Sequence, residues 1–179
     1  MSTPRLMLLA VSLVVGAATA GTSLAETPRL GKPIDEAAIA KWDISILPDG
    51  TGLPKGSGTS AQGAPIFAEK CSACHGDKGR GGGIAAAVVE EHKLEGISAS
   101  RKTIKNFWPY ATTIFDFIRR AMPFTEPRSL TDDEVYALTA YILAENKLID
   151  ANETMNAETL PKVKMPNRDN FITRFPDRI

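Results

Sequence analysis

The pentapeptide Cys71-Ser72-Ala73-Cys74-His75 constrains this chain of 179 residues more than any other feature. It contains both cysteines of the chain, three positions apart, with a histidine directly after the second. The pattern C-x-x-C-H is typical of covalent haem attachment. On a helical turn, residues three apart share one face, so both thiols can reach the vinyl groups on one edge of a porphyrin.

The motif predicts a role for each of three side chains. We expect Cys71 and Cys74 to form thioether bonds to one haem c, and we expect His75, carried over the ring face, to bind the iron. A zinc site is a competing interpretation, but it needs four ligands, and His92 is the only other histidine. A thioredoxin-like dithiol would need a strand before the motif and a βαβ frame, and the sequence predicts neither.

The N-terminal segment predicts export. Arg5 precedes the apolar run Leu6–Ala20, and residues 23–25 offer a cleavage site of small residues. We interpret residues 1–25 as a signal peptide and the mature protein as periplasmic. An uncleaved membrane anchor is the alternative. The run Leu6–Ala20 is, however, shorter than the about 20 apolar residues that are needed to span a bilayer. We expect no membrane span after cleavage, and the formal net charge of zero gives no reason to expect nucleic-acid binding.

The second axial ligand is sought among the methionines outside the signal segment, since a thioether opposite histidine is a common haem ligation. Met122 ends the amphipathic segment ATTIFDFIRRAM and precedes Pro123, which favours a helix end there. A final helix is predicted to follow, because Thr131 and Glu134 form a capping box. This helix–loop–helix arrangement predicts Met122 as the distal iron ligand.

Other ligands stay open at this stage. Met165 also precedes a proline, but it lies in a tail without periodic packing signals, and Met155 lies in a polar run. His92 would give a haem with two histidine ligands, although its charged neighbours favour an exposed side chain.

Buried haem propionates would need polar partners. Trp108 and Tyr110 are candidates, as are Arg119 and Arg120.

Five sequence blocks resemble the haem c subunit of periplasmic sulfur and sulfite dehydrogenases, the SoxD type. The blocks are WDISILPDGTGLPKGSGTSAQG, CSACHG, WPYATTIFDFIRRAMPF, SLTDDEVYALTAYILAENKLID and PKVKMPNRDNF. Together they cover most of residues 42–171. The resemblance implies that Cys71 and Cys74 attach the haem, with His75 proximal and Met122 distal to the iron. It also implies a molybdenum-cofactor dehydrogenase subunit as partner and a small cytochrome as electron acceptor.

Two features depart from that family. Larger members carry a second haem domain, whereas this chain has one C-x-x-C-H motif. The segment GIAAAVVEEHKLEGISAS also differs from the family's glycine-rich segment at that place.

We expect an all-α fold, a class I cytochrome c domain with extended N- and C-terminal arms. The helix that leads to Cys71 is expected to cross the last helix near Phe67 and Tyr141. The predicted parts are a signal peptide at 1–25, an N-terminal arm at 26–59, the cytochrome c domain at 60–146 and a C-terminal tail at 147–179. The tail could dock on a partner or lie as a strap over its own domain.

The predicted function is single-electron transfer in the periplasm by a mono-haem c-type cytochrome. We expect it to be the non-catalytic haem subunit of a molybdenum-dependent sulfite or sulfur dehydrogenase. The alternative is a free-standing soluble carrier between a periplasmic dehydrogenase and a terminal oxidase. The long arms favour the subunit, because a free carrier needs little sequence outside its haem domain.

Overall fold

The computed structural model describes residues 30–40, 42–93 and 102–172. The predicted signal peptide, residues 1–25, lies outside the described residues. The chain divides into two units, Met1–Ile39 and Ala40–Ile179. The short helix α1, Glu36–Ala40, begins in the first unit, where the Asp35 carboxylate accepts a hydrogen bond of 2.7 Å from the amide of Ala38.

The second unit is mainly helical. Its helices are α2 (Ser60–Lys70), α3 (Ser72–His75), α4 (Ile104–Phe107), α5 (Ala111–Ala121) and α6 (Asp132–Glu145). Short 3₁₀ turns lie at Asp77–Gly79, Leu160–Lys162 and Arg168–Asn170. Two short strands, β1 (Ser57–Thr59) and β2 (Thr154–Asn156), pair antiparallel with Gly58 opposite Met155.

The predicted all-α class is confirmed, with this small strand pair as an addition. Among the helices that the structure describes, none is long and apolar enough to cross a membrane.

Helices α2 and α6 cross at a close contact that glycine allows. Gly63 in α2 lies against the backbone of Ala137 in α6, where a Cβ atom would clash with the Ala137 carbonyl. One turn later, Phe67 packs on Tyr141 with ring centroids 5.1 Å apart. The predicted crossing of these helices near Phe67 and Tyr141 is confirmed.

A capping box sets the start of α6. The Thr131 hydroxyl accepts the amide of Glu134 at 3.3 Å, and the Glu134 carboxylate accepts the amide of Thr131 at 2.8 Å. The bond from the Thr131 main chain is the largest cause of the lowered pKa of the Glu134 carboxyl. The capping box predicted from these two residues is confirmed.

Helix α6 is buried on nearly every side. The sequence predicts one apolar face, and its members are all buried: Val135, Leu138, Tyr141 and Ile142. The positions between them are buried as well: Tyr136, Ala137, Thr139, Ala140 and Leu143. The cause is that α2, α5, β1 and β2 all pack against this one helix.

Residues 42–59 of the N-terminal arm contact the domain. The Tyr136 hydroxyl donates to the Pro54 carbonyl at 2.9 Å, and the Ser57 amide donates to the Asp133 carboxylate at 2.8 Å. Desolvation by burial raises the pKa of Tyr136 to about 12. At Pro54 and Ser57 the arm is therefore held against α6.

The C-terminal tail also packs on the domain where it is described. Leu160 and Met165 are 0% and 3% exposed and belong to the common core. The Asn167 side-chain amide donates to the Phe107 carbonyl at 2.7 Å. Residues 148–172 of the tail contact their own domain, which is one of the two alternatives predicted for it. The predicted boundary at residue 146 stays a prediction.

This packing predicts the effect of truncating Leu160. Leu160→Ala should lower the free energy of unfolding by about 2–5 kcal/mol, because it leaves a cavity in a closed core. Ile172→Ala is the matched control, since Ile172 is 91% exposed and its loss should change stability by less than about 0.5 kcal/mol. Denaturant unfolding followed by circular dichroism measures both values. Equal stability of the two variants would show that the tail does not contribute to the core.

Candidate haem site

The attachment motif lies on a helical turn that is joined directly to α2. The amides of Cys74 and His75 donate to the Cys71 carbonyl at 3.1 and 3.0 Å, and the Cys71 amide donates to the Phe67 carbonyl at 2.9 Å. Phe67 is buried where α2 crosses α6. The position of the motif is therefore set by the packing of α2 against α6.

The His75 imidazole is oriented by a main-chain carbonyl. Its Nδ1 lies 2.7 Å from the carbonyl oxygen of Ala86. Because a carbonyl can only accept, Nδ1 carries the proton and Nε2 keeps its lone pair. A hydrogen bond at the far nitrogen fixes the tautomer and ring orientation of a metal-binding histidine. The arrangement leaves Nε2 available to an iron ion.

One cavity brings the predicted site residues together. It has a volume of about 520 Å³, and Cys71, Cys74, His75 and Met122 all line it. Its other walls are mostly apolar, and they include Ile84, Val88, Ile114, Ile118, Leu138 and Ile142. The volume lies within the roughly 300–1,000 Å³ usual for cofactor pockets.

Met122 lies where α5 ends. Its φ and ψ are −121° and 145°, the extended conformation that a residue before proline adopts. Its amide still donates to the Ile118 carbonyl at 3.0 Å, so the end of the helix fixes where the side chain begins. The predicted helix end at Met122 is confirmed, and Met122 and Pro123 together form part of the cavity wall.

The alternative ligands lie elsewhere. Met155 and Met165 are 1% and 3% exposed and are packed into the core, and neither is among the side chains that line the cavity. The His92 side chain is 58% exposed and its Nδ1 lies 3.8 Å from the Glu90 carboxylate. The geometry favours Met122 over all three.

Of the candidate partners for the haem propionates, the two aromatic residues lie in different places. Trp108 lines the cavity and packs edge-on against Phe117, with ring centroids 5.8 Å apart. Tyr110 instead lies under the guanidinium of Arg168, 4.4 Å from its ring centroid.

The two arginines also have other partners. Arg119 donates to Asp132 at 3.0 Å and Arg120 to Asp116 at 2.7 Å. Among the four candidates, Trp108 is the one at the cavity, where Lys70 and Lys102 lie as well.

The donor set fits a haem. The described residues contain no group of three or more His, Cys, Asp or Glu side chains that could hold a metal ion. Burial raises the pKa of the Cys71 thiol to about 11. Two thiols on one helical turn, an imidazole and a thioether around an apolar cavity are what a covalently bound porphyrin requires.

Sequence reasoning missed one wall of the cavity. Residues 84–88 all line it, and the Gly79 carbonyl accepts the amides of Val88 and Val89 at 2.8 and 3.0 Å. Gly79 has a φ of 74°, a left-handed conformation that favours glycine. The apolar run Ile84–Val89 directly after the glycine-rich loop was the available signal.

The helical fold and this cavity define a c-type cytochrome domain. The family model described as cytochrome c matches residues 60–145. The crystal structure of the sulfane dehydrogenase SoxCD from Paracoccus pantotrophus contains a chain that is 35% identical, with a TM-score of 0.71. That match covers 84% of this chain and 73% of the SoxCD chain. This chain belongs to the cytochrome c family and carries covalently bound haem c.

A further similarity also concerns sulfur oxidation. The thiosulfate dehydrogenase of Psychrobacter arcticus is 28% identical over 120 residues, which is 62% of this chain. The chain spans about a third, 34%, of the length of that relative. The protein is thus an electron-transfer cytochrome related to sulfur-compound dehydrogenases.

Proposed function

We propose that this chain is the periplasmic mono-haem subunit of a molybdenum-dependent sulfite or sulfur dehydrogenase, from which it accepts single electrons without itself catalysing the oxidation. The observation that carries the proposal is the cavity in which Cys71, Cys74, His75 and Met122 lie together. The periplasmic location rests on the predicted signal peptide, residues 1–25.

Each of the four residues has a distinct role in this proposal. Cys71 and Cys74 would hold the haem by thioether bonds, and Nε2 of His75 and the Met122 thioether would bind its iron. The haem supplies one-electron chemistry at its iron, while the protein orients it and sets its potential. A methionine opposite histidine raises that potential.

The proposed ligands and the apolar walls of the cavity restrict which reactions the iron could take part in. If His75 and Met122 both bind the iron, no position at it would remain for a substrate. Ile114, Ile118 and Leu138 are among the apolar side chains that line the same cavity. The remaining chemistry is transfer of one electron through the edge of the haem.

The dehydrogenase partner is supported by similarity. The SoxCD match, at 35% identity over 84% of this chain, includes residues well outside the segment 60–145 that the cytochrome c family model covers. The sequence blocks WPYATT and PKVKMPNRD, which haem binding alone does not require, belong to the same resemblance.

A free-standing electron carrier is the second candidate, and one observation favours it. Residues 42–59 and 148–172 contact their own domain, as the bonds of Tyr136 to Pro54 and Asn167 to Phe107 show. The length of the arms therefore does not require a partner. The subunit interpretation rests on the similarity to SoxCD instead.

The distal ligand can be tested with two matched substitutions. Met122→Leu removes the thioether with little change in volume, so the reduced protein should gain carbon monoxide binding and its reduction potential should fall. Met165→Leu makes the same change in the core and should leave both properties as in the parent. Absorption spectroscopy under carbon monoxide and a redox titration measure the two effects. Carbon monoxide binding by Met165→Leu alone would assign the ligand to Met165.

The partner can be tested by purification from the native periplasm. If the subunit proposal holds, a tagged chain should bring down a second protein with molybdenum in a ratio of about one to the haem iron. Sulfite or thiosulfate should then reduce the haem in that complex. Metal analysis and haem absorption measure the two properties.

Growth with tungstate in place of molybdate provides the control for this experiment. Tungstate should leave the complex assembled and abolish the reduction of the haem by substrate. A chain that purifies alone, and accepts electrons equally well without a molybdenum protein, would favour the free carrier.

A further inference from the structure

Asn146 joins the end of α6 to the segment that orients His75. The residue follows the last residue of α6 and is 2% exposed. Its Nδ2 donates to the Val88 carbonyl at 2.9 Å and to the Ile142 carbonyl at 2.8 Å. Its Oδ1 accepts the amide of Glu90 at 3.2 Å. One buried side chain thus holds two points of a segment 56 and 58 residues away along the sequence.

This set of bonds requires a carboxamide. Both amide hydrogens go to carbonyl oxygens, and the side-chain oxygen takes an N–H, so each kind of polar atom is used. An aspartate could still accept from Glu90, but it would place a second oxygen against the carbonyls of Val88 and Ile142. A serine could bond within α6 but is too short to reach the segment.

The segment held by Asn146 has little structure of its own. Residues 84–93 form neither helix nor strand, so their position depends on individual bonds. The Ala85 amide donates to the Cys74 carbonyl at 2.9 Å, and the Val88 amide donates to the Gly79 carbonyl at 2.8 Å. Ala86, which accepts the His75 Nδ1 proton, lies between these two points. On the side of Ala86 that leads away from the motif, the segment is held by the Gly79 carbonyl, which accepts the amides of Val88 and Val89, and by Asn146.

We propose that Asn146 is a positioning residue for the haem ligand His75. By holding Val88 and Glu90 it keeps the Ala86 carbonyl at hydrogen-bond distance from Nδ1. That bond holds the ring orientation and raises the basicity of the imidazole. This inference rests on the proposed role of His75 as an iron ligand.

The proposal has a consequence for the reduction potential. A more basic imidazole donates more charge to the iron and stabilises its ferric form, which lowers the potential. Loosening the Ala86 carbonyl should therefore raise the potential. A purely structural role for Asn146 would lower stability and leave the potential unchanged.

The test compares Asn146→Ser with Thr139→Val in the haem-loaded protein. Thr139 is also buried in α6, but its hydroxyl donates only to the Val135 carbonyl of the same helix, at 2.7 Å. In Asn146→Ser the His75 Nδ1 proton should exchange with solvent about tenfold faster, the order of change expected when a hydrogen bond is lost. The potential should rise as well. Thr139→Val should leave both as in the parent, whatever it does to the melting temperature.

A measurement on the parent protein covers the case in which Asn146→Ser does not fold. If Asn146 holds the whole segment, the Glu90 amide and the His75 Nδ1 proton should become exposed in one opening event, with the same protection and temperature dependence. A Glu90 amide that exchanges much faster than the ring proton would overturn the proposal. Unchanged ring exchange and potential in a folded Asn146→Ser variant would overturn it too.

Failure of the underlying function gives a different result. If His75 does not bind iron, its ring protons in the ferric parent will lack the shifts caused by a paramagnetic ligand bond. Shifted ring protons together with no effect of Asn146→Ser would refute the positioning role alone.

Discussion

The helical turn from Cys71 to His75 is the constraint on which the rest of the structure depends. Within one turn it places two thiols and an imidazole, and its first amide is bonded to the Phe67 carbonyl of α2. Phe67 lies against Tyr141 of α6. Any shift of α2 on α6 would therefore move all three groups together. The close contact at Gly63 removes the freedom for such a shift.

Helix α6 connects the two sides of the cavity. Leu138 and Ile142 line the cavity directly, while Asn146 at its end holds the segment that carries Ala86. The Arg119–Asp132 ion pair joins the start of α6 to α5, whose end carries Met122. The same helix thus bears on the positions of both proposed iron ligands.

Features with a local cause were predictable from the sequence. The capping box at Thr131, the helix end before Pro123 and the turn of the attachment motif each depend on residues within four positions of one another. The crossing of α2 and α6 was also predictable, because Gly63 and Phe67 form a stripe along one helix. The likeness to a dehydrogenase haem subunit was recognisable because whole blocks such as WPYATT lie outside the attachment motif.

Features that join distant parts of the chain were not predictable. The Asn146 side chain is hydrogen-bonded to Val88 and Glu90, which lie more than 50 residues away in the sequence. An asparagine at the end of a helix carries no periodic signal that would predict such bonds. For the same reason the sequence left two alternatives for the C-terminal tail, docking on a partner or contact with its own domain. Leu160 and Met165 lie in a segment without helical spacing. Their burial depends on where β2 pairs with β1, which is decided by the fold as a whole.

The central claim is that a haem iron in this cavity is bound by His75 on one side and by a methionine sulfur on the other. X-ray absorption at the iron edge of the purified protein tests this most directly, because it counts the nearest atoms by type. We expect five nitrogens and one sulfur in both the ferric and the ferrous protein. Six nitrogens, or five with no sulfur, would contradict it.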